Sequence, residues 1–392
     1  MPQGSTTRWR RRRALLAMMP SFLLLAAGSA SALTLEESGE WVVSCDNAAS
    51  CSLVNASQLT QLRVAQPSPF GMSRICIHRQ GGPEDAAQFF LALRSRKPGH
   101  HASGQADQWL RLAGGKVPHP DIALHHRGTE YWEVPPQQVG MLLGALDETA
   151  QLHVITREGA VLERLSVQGI EKALSLVDQA QSRTGTVTAL RDKGERSAGT
   201  MPARPKPPSL VTAPLPKLAA PPPPSAAALR LRQQVCGSPG LDASIGYRLL
   251  GDQRRPDRTL WVTPCDPKPG LRRDLFVIEH ADGTAVPAAF PGVMPESPTG
   301  QPGLLATPRL DAETGLVREQ WIAPVPPPKI EACGIQRLWA WNGRAFELAE
   351  ERRSLSCAGI LSGYWARTYT RPLVMAVPDG AMANAASFQP PC

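Results

Sequence analysis

Between Ser197 and Pro224 the chain reads SAGTMPARPKPPSLVTAPLPKLAAPPPP, and no other stretch limits the fold as strongly. Proline has no N–H to give to a ladder and fixes its own φ, so the run can be neither a helix nor an inner strand. It reads as an extended, semi-rigid polyproline spacer with a segment of ordinary domain length on either side. The expected organisation is a leader over residues 1–32, a β-rich domain over 33–192, a proline-rich linker over 193–225 and a second β domain over 226–392.

The leader has three parts. Arg8 and the run Arg10 to Arg13 are positively charged, an apolar stretch runs from Ala14 to Ala27, and Ala30-Ser31-Ala32 supplies small residues for cleavage. Leu33 is then the first residue of the mature chain. The apolar stretch is short of the roughly 20 residues that a membrane span needs, so the expectation is a periplasmic protein with no span in its mature chain. Removing the five leader arginines lowers the formal charge from +8 to +3. The remaining basic residues are not clustered, and this argues against nucleic acid as a partner.

All eight cysteines follow the leader. An even count in an exported chain reads as disulfides, and the close C-x-x-C pairs of a zinc site are missing. Cys45 and Cys51 flank a turn-like sequence and are the firmest pair. Cys236–Cys265 and Cys333–Cys357 follow as expectations. Cys76 and Cys392 are then left to join the domains, pair with another chain or stay free.

The expected fold is mainly β with a few helices: a sandwich-like first domain and an antiparallel meander, closed or half-closed, in the second. Strands are expected at Glu40 to Cys45, Cys51 to Val54, Arg74 to His78, Phe89 to Leu93, Asp107 to Leu112 and Leu152 to Ile155. Helical spacing marks Pro136 to Leu146, the stripe Ile170, Ala173, Leu174, Val177, and Ser225 to Val235. In the second domain Asp282-Gly283 and Asp311 to Gly315 signal hairpins. Asn342-Gly343 signals a two-residue hairpin with Trp341 opposite Arg344 and Trp339 opposite Phe346.

Several segments together resemble a family of Gram-negative exported proteins, the domain of unknown function 1176. They are Trp41-x3-Cys45-Asp46-Asn47-x3-Cys51, then Gly185-Thr186-Val187-Thr188-Ala189-Leu190, then Leu260-Trp261-x2-Pro264-Cys265. Cys333-Gly334-x4-Trp339-x-Trp341-Asn342-Gly343-x2-Phe346-x-Leu348 follows, then Cys357-x-Gly359 and Trp365-x-Arg367. The opening is also similar to the invasion-associated locus B family. Neither resemblance implies a reaction.

No catalytic motif, phosphate loop or dinucleotide fingerprint appears, and no cofactor or metal is expected. His119, His125 and His126 beside Asp121 have metal-ligand chemistry, but solvated loop histidines are the preferred reading. Asp46, Glu84, Asp85, Glu130 and Glu133 are acidic candidates by type alone. Trp339, Trp341 and Phe346 form either a binding face or the packed side of their hairpin. The leading expectation is a non-enzymatic binding or accessory protein whose partner is an envelope protein or ligand. The rivals are an envelope hydrolase acting on cell wall or glycan, and a metal-handling protein.

Overall fold

The computed structural model describes residues 34–55, 70–95, 111–113, 122–127, 131–147, 151–156, 158–237, 244–249, 258–266, 272–293, 299–323, 333–354, 365–376 and 382–384. All of them belong to one compact unit, Ser31–Cys392. The expected leader and its cleavage point lie outside the described residues. Among the described residues no helix is long and apolar enough to cross a membrane.

The first part is a sandwich. One sheet has the order β1 (Thr34–Ser38), β2 (Trp41–Cys45), β3 (Cys51–Asn55), β4 (Phe70–Arg79), β5 (Ala87–Ser95), β9 (Tyr131–Glu133), β8 (His125–His126). The other has the order β11 (Val161–Ser166), β10 (Gln151–Ile155), β6 (Arg111–Ala113), β7 (Ile122–Ala123). Alternation places Val43, Leu53, Ile75, Ile77, Phe89 and Leu91 on the inner face, packed against Leu112, Leu152 and Val154 of the second sheet. Helices α1 (Pro136–Ala145) and α2 (Ile170–Ala180) add Leu142, Leu143, Leu174 and Val177 to the same core. The cysteines of Cys45–Cys51 face each other across the β2–β3 ladder and are bonded.

The segment after α2 is ordered around two buried polar side chains. The carboxylate of Asp178 accepts from the backbone N–H groups of Leu190, Arg191 and Asp192. Arg183, fully buried, donates to the carbonyls of Gly82 and Pro83, to Gln181 Oε1 and to Thr188 Oγ1. Arg79 lies beside it, and burial together with the Arg183 charge lowers its pKa to about 10.

The second part holds two stacked sheets. The first is β13 (Ile245–Leu249), β14 (Arg258–Asp266), β15 (Arg273–Glu279), β16 (Ala285–Pro287), with β17 (Leu304–Ala306) also on β15. The second is β18 (Arg309–Asp311), β19 (Leu316–Ile322), β20 (Gly334–Trp341), β21 (Phe346–Ser354), β22 (Ala366–Thr370). Leu260, Val262 and Phe276 of one meet Val317, Trp339 and Trp341 of the other. Of the two expected forms the closed one is not observed: among the described residues the sheets form no barrel and pack face to face. Helix α3 (Ala226–Cys236), capped by Ser225 Oγ, covers the far side of the first sheet at Trp261 and Val277, and Cys236–Cys265 bonds it there.

The hairpin at Asn342 differs from its expected register. Trp341 faces Phe346 and Trp339 faces Leu348, so the loop is four residues long. Asn342 Oδ1 accepts from the N–H groups of Arg344 and Ala345, and this side-chain cap replaces the tight two-residue turn. Asp282-Gly283 and Asp311 to Gly315 do connect hairpins, β15–β16 and β18–β19.

The proline-rich segment is laid along the second part. Strand β12 (Leu210–Thr212) pairs in parallel with β23 (Leu373–Ala376), which pairs with β24 (Met382–Asn384). β12 is an edge strand, as proline neighbours require. Ala213, Leu215 and Leu218 donate to the carbonyls of Trp341, Ala312 and Gly246. Gly315, at φ +68°, permits this approach, since a Cβ there would lie 2.0 Å from the Ala213 carbonyl oxygen.

Cys76 and Cys333 are also disulfide-bonded, so the option of a free Cys76 thiol is overturned. Cys357 and Cys392 lie outside the described residues, and the expected Cys333–Cys357 bond with them.

Arg183→Met removes donors from the carbonyls of Gly82 and Pro83, both half-buried. Acceptors left without a donor lose about 1–3 kcal/mol each, so urea denaturation should show a loss of at least about 2 kcal/mol. A loss within error of zero would remove Arg183 as the organiser of this segment.

Candidate functional site

Cross-strand register brings three charged residues into one row. Glu319 on β19 is opposite Arg337 on β20, and Arg337 is opposite Glu351 on β21. All three point between the stacked sheets and are buried. Such a row is costly to desolvate and holds only if its hydrogen bonds are made.

They are made unequally. Glu351 Oε2 accepts from Arg337 Nε at 2.9 Å and from the Val293 N–H at 3.3 Å. Its Oε1 accepts from Arg353 Nε at 2.7 Å and Thr368 Oγ1 at 3.4 Å. Burial alone would raise this carboxyl, but the Arg353 and Arg337 bonds outweigh it and hold the pKa below the usual range. Glu319 has less. Its Oε1 accepts from the Ala306 N–H at 3.0 Å, while Oε2 makes no hydrogen bond and lies 3.9 Å from Arg337 Nη1. Burial pushes its carboxyl above the usual range.

Glu319 and Arg337 line a cavity of about 190 Å³. Leu304, Leu305, Phe290 and Trp339 form its apolar walls, and Ala289, Gln301 and Pro302 form an exposed rim. Gly292 and Gly303 also line it. A Cβ on Gly292 would lie 2.8 Å from the Arg337 guanidinium, so the absence of a side chain there leaves the guanidinium its place. Trp339 Nε1 is occupied by the Pro291 carbonyl at 2.6 Å.

A second polar cluster joins the two parts. The turn inside Cys45–Cys51 presents Asp46, whose Oδ1 accepts from the Ala48 and Ser50 N–H groups and whose Oδ2 pairs with Arg367 Nε at 2.8 Å. Asn47 exchanges two hydrogen bonds with the backbone of Thr370. Trp365 and Ala366 pack on Val42 at the outer face of the first sheet. On that face His78 contacts Ser52 Oγ through Nδ1 at 3.1 Å and Ser50 Oγ through Nε2 at 3.4 Å. Burial, then the Arg367 charge, lowers its pKa to about 4. A serine beside a histidine suggests a nucleophile and base. But a base of that pKa is weak near neutrality, and both ring nitrogens are engaged.

The residues singled out from sequence fall as follows. Trp339, Trp341 and Phe346 are buried core: Trp341 meets Phe346 at a tilt, and Phe290 meets both Phe346 and Trp339. Trp339 alone reaches the cavity wall. His125 and His126 form β8, where the His126 ring lies 4.7 Å from Trp132. His119, Asp121 and Glu130 lie outside the described residues, and among those described no group of His, Cys, Asp and Glu is placed to hold a metal. Glu133 pairs with Arg127, and Asp85 accepts from the Gly82 N–H. Glu319, Arg337 and Glu351 were not singled out. Their signal is charge at inward positions of three adjacent strands, visible only once the register is known.

These features define a mainly β protein with stacked antiparallel sheets and one small cavity, among those described, that is charged at its floor. The chain belongs to the family described as Protein of unknown function (DUF1176), whose model matches residues 36–372. Every quoted motif lies inside that span; the likeness to the invasion-associated locus B family is not part of it. No curated protein and no solved structure matches the chain.

Glu351→Gln breaks a fully bonded buried carboxylate and should lower the unfolding free energy by about 3–5 kcal/mol. Glu319→Gln should act oppositely at neutral pH. Because the folded carboxyl titrates above its unfolded value of 4.5, ionisation opposes folding as pH rises through that window. The variant therefore matches or exceeds the wild type in thermal melts at pH 7. Equal losses in both variants would contradict the unequal bonding.

His78 has the reverse sign to Glu319. Its folded pKa of about 4 lies below the unfolded 6.5, so its contribution is full above pH 6.5 and lost as pH falls toward 4. His78→Asn should flatten the dependence of unfolding free energy on pH across that interval. An unchanged slope would refute the neutral ring.

Proposed function

We propose that the protein acts in the periplasm as a non-enzymatic binding protein whose ligand site is the cavity at Glu319. The observation that carries this reading is a buried carboxylate oxygen without a hydrogen-bond donor, at an apolar cavity with an exposed rim. Small-ligand sites have this composition: mostly apolar walls and a few placed polar groups. Hydrolysis of a glycan by paired carboxylates needs a second one free to act. Glu351, the neighbour in the row, has both oxygens bonded, which favours binding over hydrolysis. The disulfides Cys45–Cys51 and Cys236–Cys265 suit an oxidising compartment, and the charged, apolar and small-residue parts of the leader suit export.

The test is isolation of the mature protein from the periplasmic fraction, followed by amino-terminal sequencing and native mass spectrometry. The expected result is a chain beginning at Leu33 that carries a stoichiometric small molecule or partner. Recovery from the cytoplasm with reduced thiols would overturn the placement. Turnover of a cell-wall glycan, abolished by Glu319→Gln in a folded variant, would overturn the binding role.

A further inference from the structure

We infer that the Glu319 cavity is built to take a small organic cation, a primary ammonium group on a short apolar body. This rests on the binding role proposed above and assigns its ligand class.

The three charges of the row share their hydrogen bonds unequally with a fourth, Arg353, two residues beyond Glu351. Glu319, Arg337, Glu351 and Arg353 sum to zero, but the two guanidinium groups do not serve the two carboxylates equally. Both arginines bond Glu351 through Nε. Glu319 receives one backbone N–H and a guanidinium nitrogen at 3.9 Å, beyond hydrogen-bond reach. The shortfall is localised on Oε2, the atom with no donor. A desolvated carboxylate oxygen is best met by a charged donor, whose hydrogen bond is shorter and about twice as strong as a neutral one. Burial keeps the Glu319 carboxyl above its usual range even with the Arg337 charge beside it, the direction expected of a desolvated anion.

The walls agree with the floor. Phe290 and Trp339 line the cavity, their rings 5.0 Å apart. Aromatic faces attract cations through their quadrupole, and the walls of Leu304 and Leu305 suit a hydrocarbon body. Drug-sized ligands occupy roughly 300–1,000 Å³. At about 190 Å³ the cavity selects something smaller, on the scale of a single ring or a short chain. Arg337 is a second determinant: its positive charge beside Glu319 disfavours a dication, so one ammonium is the better match.

The probes are propylamine, butylamine and benzylamine, with propanol, butanol and benzyl alcohol as uncharged counterparts. Binding to the mature full-length chain is read by ligand-observed NMR and calorimetry at pH 7. Amines should bind at least tenfold more tightly than the matched alcohols, and Glu319→Gln should abolish that preference while near-ultraviolet circular dichroism stays native. If Glu319→Gln does not fold, Ala289→Trp at the exposed rim replaces it and should weaken amine binding at least tenfold. Equal binding of amines and alcohols, or an amine preference untouched by the folded variant, would overturn the ammonium assignment and leave the binding role standing. No binding of any probe would also overturn it, and the material carried by the periplasmic protein would then decide the wider role.

Discussion

One carboxylate performs two jobs on which the arrangement of the chain depends. Asp46 Oδ1 folds its own turn by accepting from Ala48 and Ser50, and Oδ2 grips Arg367, more than three hundred residues away. Asn47 adds two bonds to the backbone of Thr370. The turn is closed covalently by Cys45–Cys51, so it offers β22 a fixed point. β22 in turn borders β21, and Thr368 donates to both the backbone and the carboxylate of Glu351. A continuous polar path therefore runs from the first disulfide to the charged row at the cavity floor. The family motifs around Cys45-Asp46-Asn47 and Trp365-x-Arg367 are the two ends of this clamp.

The cavity owes its chemistry to an imbalance in the packing. A buried row of alternating charge needs every lone pair and proton matched, and here the matching is concentrated at Glu351. That residue is the anchor, locked by two arginines, a threonine and a backbone N–H. Glu319 is held in place by the same sheet but left with one buried oxygen that no donor meets. Rigidity at one end of the row and a vacant acceptor at the other is the arrangement a selective site needs, because the acceptor cannot swing away to satisfy itself elsewhere.

Much of the fold was legible in the residues. Period-two patterning located β2, β3, β4, β5 and β10, and the three α-helices among the described residues were placed to within a residue or two, the last of them capped by Ser225. What failed had local causes. The Asn342-Gly343 pair signals a tight turn, but the amide of Asn342 bonds two following N–H groups and opens the loop to four residues, shifting Trp341 onto Phe346. The residues leave the second part between closed and half-closed, because strand text does not say whether sheets curl or stack. The site itself was hidden. Arg318-Glu319-Gln320 looks like a solvated stretch, and nothing in the text reveals that its middle residue faces inward toward Arg337. His78 and Ser52 are likewise neighbours only across a ladder.

The proline-rich segment follows the second part at a set pitch. The N–H groups of Leu210, Ala213, Leu215 and Leu218 each reach a different carbonyl, and the leucines at 210 and 215 are sunk in separate apolar clusters. A strap fastened at four fixed points behaves as a ruler. Inserting or deleting one residue between the fastenings would carry every later leucine past its socket, so changes in length should be tolerated only beyond its two ends.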